Sequence, residues 1–172
     1  MADEPLILQE NGYLSPDIHK VSLEEFERYF VQTIPDHNRR KELFFGYARL
    51  CTAIQSFQIK NFTHWIFGSF TSGKEFPGDI DVVTIVSAEE LNNLPPFIQN
   101  MLPAPGSPFN RDSAKSIFHC DSLMLIVPPK SDTIKYTKYQ NARAYWRGLC
   151  GFTRQEEPRG FLELTYGRGA EQ

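Results

Sequence analysis

The residues best suited to chemistry lie in one stretch, WIFGSFTSGKEFPGDIDVV, at positions 65–83. Gly68 and Ser69 follow an apolar run, and after nine intervening residues Asp79 and Asp81 open another. Alternate strand residues share a face, so the two carboxylates project together, their α-carbons roughly 6–7 Å apart. Carboxylates that close repel unless a cation lies between them. A hard divalent ion, Mg2+ or Mn2+, with oxygen ligands and retained waters, suits them. Gly68 lets a ligand approach the backbone, while the Ser69 hydroxyl and neighbouring N–H groups can hold phosphate oxygens. Lys74 adds a cation within reach of the same phosphates. Such a set would grip a triphosphate on one side and neutralise it on the other, as phosphoryl or nucleotidyl transfer requires.

The elements that must position these groups follow from pattern. HWIFGSF and DIDVVTIV are rich in β-branched and aromatic residues and read as strands. Ahead of them, Leu43, Tyr47, Leu50, Ile54 and Phe57 recur at steps of four and three, giving an amphipathic helix over about 37–57. Arg39, Arg40 and Lys41 near its start oppose the helix dipole and read as a solvated end or a contact for an acidic partner. Ser22 and Glu25 form a capping box before the helix LEEFERYF, which Pro35 and Asp36 stop. Ser87 with Glu90 caps the short helix SAEELNNL, closed by Pro95 and Pro96. LPAPGSPFNRD reads as a loop and SIFHCDSLMLIV as a third strand. A helix from Ser131 and Asp132 to about Leu149 carries Lys135, Lys138, Arg143 and Arg147 among Tyr136, Tyr139, Tyr145 and Trp146. It reads as a packed aromatic face or as a surface that stacks on a base or RNA. FLEL is a last extended run. Residues 1–20 read as an irregular arm, 21–165 as one domain and 166–172 as a loose tail. His19, His37 and His64 read as ordinary polar positions.

Composition narrows the function. The chain has 172 residues, room for one domain with a core, and its formal charge of −3 argues against a general nucleic-acid coat. Cys51, Cys120 and Cys150 are widely spaced and lack a zinc-type pattern, so they read as free thiols in a reducing compartment. No apolar run approaches bilayer length and the acidic start lacks a signal pattern, so no membrane association and a cytoplasmic location are expected.

The spacing GS-x9-DID resembles the signature of the DNA polymerase β-like nucleotidyltransferase superfamily. The wording GSFTSGKEFPGDIDVV is also similar to short bacterial and phage nucleotidyltransferase-like proteins; the likeness is close over the central third and looser at the ends. The resemblance implies an α/β (α+β) fold, a small mixed sheet flanked by helices, with two metal ions and an NTP such as ATP as donor. It also implies a third carboxylate on a later strand, which here is Asp121. Asp79, Asp81 and Asp121 are then the catalytic, metal-holding residues, with Asp121 the base. Gly68, Ser69 and Lys74 hold the triphosphate. The expected acceptor is a hydroxyl on RNA (a tRNA end), on protein or on a small molecule, and short members of the superfamily suggest a toxin–antitoxin or phage-defence setting.

Two other readings use the same residues. One is a catalytically weak binding module or antitoxin that keeps this fold. The other is a P-loop NTPase, because Gly68 to Lys74 reads G-x-x-x-x-G-K. Glu75 stands where that motif needs Ser or Thr, and Pro77 interrupts the helix that should follow.

Overall fold

The computed structural model describes residues 6–34 and 38–169. A five-stranded mixed sheet in the order β1-β5-β2-β3-β4 is flanked by helices. Its strands are β1 (Ile18–Lys20), β2 (Phe62–Phe67), β3 (Ile80–Ser87), β4 (Cys120–Val127) and β5 (Phe161–Tyr166). β2 runs antiparallel to β3 and β5, while β1 with β5 and β3 with β4 are parallel pairs. The helices are α1 (Leu23–Glu27), α2 (Asn38–Ser56), α3 (Ala88–Asn92), α4 (Pro96–Met101), α5 (Arg111–Phe118) and α6 (Thr133–Gly151).

Alternation along the strands divides the core into two layers. Phe62, Ile66, Ile80, Val82 and Val86 meet Leu43, Tyr47, Leu50 and Ile54 of α2 on one face. Trp65, Phe67, Val83 and Ile85 meet Tyr139 and Cys150 of α6 on the other. The α2 stripe is thus the one its sequence spacing predicts. On α6, Tyr136, Tyr139 and Trp146 pack toward the sheet while Tyr145 stays exposed, and the Arg143 guanidinium lies 5.1 Å from the Trp65 ring centre.

Several elements differ from the sequence reading. Arg40 is not solvated: it is fully buried. His64, read as an ordinary polar position, is fully buried as well. The capping box at Ser22 and Glu25 forms, but the helix it starts continues as a π-helical turn, Arg28–Gln32. Pro96 opens α4 rather than closing α3, because a first-turn proline lacks only an N–H that would be unbonded anyway. Residues 111–118, of which the sequence reading put 111–112 in a loop and 116–118 in a strand, form α5 with Asn110 as its cap. His119, at φ 56°, ends that helix in a left-handed turn and β4 begins at the next residue. The arm contributes β1 and the buried Leu14. At the other end, the Gly169 N–H bonds the Tyr166 carbonyl and the Arg168 N–H bonds Asn61 Oδ1. The stop at Pro35 and Asp36, and His37, lie outside the described residues. Among the described residues no helix is long and apolar enough to cross a membrane.

Candidate functional site

One end of the sheet gathers the chemistry. Phe67 of β2 pairs with Asp81 of β3, and Asp81 pairs with Asp121 of β4. Asp81 shares strand parity with Val83 and Ile85, and Asp121 with Leu125, so both carboxylates belong to the face that α6 covers, and Asp79 stands just before β3. They lie beyond the C-terminal end of that helix, in a cleft of about 1030 Å³. Gly68, Ser69, Lys74, Asp79, Asp81 and Asp121 all line it, whereas the cations and aromatics of α6 named from sequence as a base or RNA surface do not.

Gly68 is a glycine for two reasons. Its φ is +82°, and a Cβ there would overlap the Asp81 carboxylate. The turn that follows it is held from beneath by α2. Arg40 donates to the carbonyls of Phe30 (3.0 Å), Phe70 (2.7 Å), Ser72 (2.8 Å) and Lys74 (2.6 Å). Burial draws its pKa down to about 10, so it remains charged at neutral pH. Arg39 donates to the Gly78 carbonyl at 2.7 Å, next to Asp79. The adjacent arginines therefore fix both ends of the turn between β2 and β3. From 74 to 78 the chain forms no helix and leads into β3, so the helix that a P-loop requires is not built.

The acidic residues differ in their electrostatics. Burial, then repulsion from Asp79 and Asp121, pushes the Asp81 carboxyl up to about 6. Asp121 moves the other way, because the Arg111 guanidinium grips both its oxygens at 2.7 and 2.9 Å. Lys115 Nζ lies 3.1 Å from Asp79 Oδ2 and 3.6 Å from Asp121 Oδ2. Arg111 and Lys115 are four apart on α5 and so share one side of it. That helix packs closely on α2, where a Cβ at Gly46 would strike the Phe118 carbonyl. Sequence reading missed both cations, although Asn110 as cap and their i,i+4 spacing were the available signal. His119 does not join the carboxylates; its Nε2 lies 3.7 Å from Glu42 Oε1.

As they stand, no three or more His, Cys, Asp or Glu side chains among the described residues are gathered so as to hold a metal ion. The donor chemistry nevertheless suits one. Three carboxylates supply only oxygens, and burial with two like-charged neighbours outweighs the relief that Arg159 and Lys115 give Asp81. Arg159 supplies a further cation: half-buried and lining the cleft, it donates to the Cys150 (3.0 Å) and Leu149 (3.3 Å) carbonyls at the end of α6. The arm closes the rim, with Tyr13 bridged to Ser72 and the Gly73 N–H bonding the Gly12 carbonyl at 2.8 Å.

No curated protein and no solved structure matches the chain. A family profile matches it over residues 6–165, nearly its whole length, and the chain belongs to the family of unknown function DUF6932.

Proposed function

We propose that this protein transfers a nucleotide from an NTP to a hydroxyl on an RNA or protein acceptor. The observation that carries the reading is convergence: the Gly68–Ser69 turn faces three carboxylates from neighbouring strands across one cleft. Asp79, Asp81 and Asp121 would hold Mg2+ or Mn2+, whose bound charge would offset that of the phosphates. Ser69 and Lys74 orient the β- and γ-phosphates. Arg159 neutralises charge from the α6 side. Asp121 would take the proton of the acceptor hydroxyl once its oxygens leave the Arg111 fork, which lowers its basicity while it holds them. The freed oxygen bonds to the α-phosphorus, and the bond from that phosphorus to the bridging oxygen breaks, releasing pyrophosphate. A toxin–antitoxin or phage-defence setting rests on the sequence resemblance alone.

One observation favours a second reading, a binding module of low turnover. Lys115 and Arg111 already neutralise Asp79 and Asp121 without any ion. Incubation with each labelled NTP, magnesium and either total tRNA or a candidate protein separates the readings. Label transfer that disappears in Asp79→Ala supports the enzyme. NTP binding with no transfer in any combination supports the module.

A further inference from the structure

We infer that the loop joining α6 to β5 is a nucleobase platform, with Phe152 as its stacking surface. The inference rests on the nucleotidyl-transfer reading and assigns the part of the substrate that the turn and the carboxylates leave unbound. Phe152 is 49% exposed and Leu149 is 44% exposed, yet both line the cleft rather than the outer surface. Leu149 belongs to α6 and Phe152 caps it, on the side of the sheet from which Asp81 and Asp121 project. A nucleotide whose phosphates rest between Ser69 and the carboxylates has this wall beside it.

The loop is built to hold its shape. Phe152 pairs in a β-bridge with Pro158. Beyond it, Thr153 Oγ1 accepts from the N–H groups of Gln155 (3.2 Å) and Glu157 (3.1 Å), and the Thr153 N–H reaches the Glu157 carbonyl at 2.9 Å. The Arg159 N–H closes the base on the Gly151 carbonyl at 2.8 Å. A half-exposed aromatic ring on a hydrogen-bonded loop supplies a flat apolar surface at little ordering cost. Beside it, Gln155 can both donate and accept, and Arg154 is exposed, so a base edge or ribose has polar partners. Apolar surface here and cations along the phosphate track match a ligand with one aromatic and one polyanionic end. A nucleotide is such a ligand.

The test compares ligands with and without a base. Calorimetry with manganese present would titrate wild type, Phe152→Ala and Phe152→Tyr with each of the four NTPs and with inorganic tripolyphosphate. The expected result is that Phe152→Ala weakens NTP binding roughly tenfold, as loss of one stacked aromatic does. Tripolyphosphate binding stays as in wild type, and Phe152→Tyr restores the NTPs. Equal weakening of NTP and tripolyphosphate, or unchanged NTP affinity in Phe152→Ala, overturns the platform and leaves the transfer reading intact. Wild type that binds neither ligand overturns both.

Discussion

Polar groups are buried at both ends of β2, and the two ends handle the burden in opposite ways. Near its start, His64 is fully enclosed, and its Nδ1 shares a 2.8 Å hydrogen bond with the Tyr47 hydroxyl. Tyr47 in turn meets Tyr166 at 3.1 Å, and Tyr166 meets the Cys51 sulfur at 3.2 Å. Burial holds His64 neutral, with its pKa drawn down to about 3, and raises Tyr47 and Tyr166 so that both keep their protons. The cluster carries no net charge. At the far end, Asp81 is crowded by Asp79 and Asp121 and remains beside open solvent. Neutral hydrogen-bonded burial suits a core, whereas like charge only partly offset at a cleft suits a ligand.

The sharpest way to break this contrast is substitution at each end. Asp81→Ala should lower nucleotidyl transfer by at least about a thousandfold, about 4 kcal/mol of barrier, while the folded state persists. His64→Ala should instead destabilise the fold and leave the transfer rate of the folded fraction near wild type. Labelled-NTP transfer and urea unfolding measure the two, and a reversed pattern would refute the assignment of roles.

Arg40→Met should cost about 3–5 kcal/mol in chemical denaturation, because it leaves buried carbonyls without donors. Arg40→Lys should recover little, since one ammonium cannot reproduce the fork that spans Phe30, Phe70, Ser72 and Lys74.

The two ends also predict opposing pH dependence in chelator. His64 is neutral when folded, so its contribution is full above 6.5 and is lost as pH falls toward about 3. The slope is about 1.4 kcal/mol per pH unit. Asp81 has a raised pKa, so its stabilisation is full below 3.8 and is lost as pH rises toward about 6. Allowing for its partial exposure, that loss is on the order of 2 kcal/mol. Between these limits the slopes oppose, giving a shallow wild-type profile. In Asp81→Asn the opposing slope is removed, and stability should climb with pH through that window. An Asp81→Asn profile as shallow as wild type would contradict the assignment.

The smallest effect concerns Lys115, which is exposed. Lys115→Met should leave the denaturation midpoint near wild type and move a Mn2+ titration to lower concentration. Movement to higher concentration would mean that Lys115 assembles the acidic cluster rather than competing for it.

What could be read in the sequence was whatever depends on local pattern. Alternation in DIDVVTIV, the four-and-three steps of α2 and the cap at Ser22 each report on neighbours a few residues away. Gly68 and Asp81 were also legible, because their spacing along the chain reflects a turn between paired strands. Arg40 was not, since its partners lie up to 34 residues away and nothing local distinguishes a buried arginine from a solvated one. α5 was obscured because Ile117 and Phe118 continue the apolar character of β4. The left-handed turn at His119 that separates them has no glycine to announce it.

The order of strands carries a consequence for biosynthesis. β5 is inserted between β1 and β2, which lie more than forty residues apart in the chain and have no other link within the sheet. Until residues 161–166 emerge from the ribosome, the floor beneath Gly68 has an open seam, and β1 has no strand to join. Such late, long-range closure slows folding and leaves unpaired edges during synthesis. A nascent chain stalled before Phe161 should therefore expose an apolar strand to chaperones, and the cleft would mature only after β5 has joined the sheet.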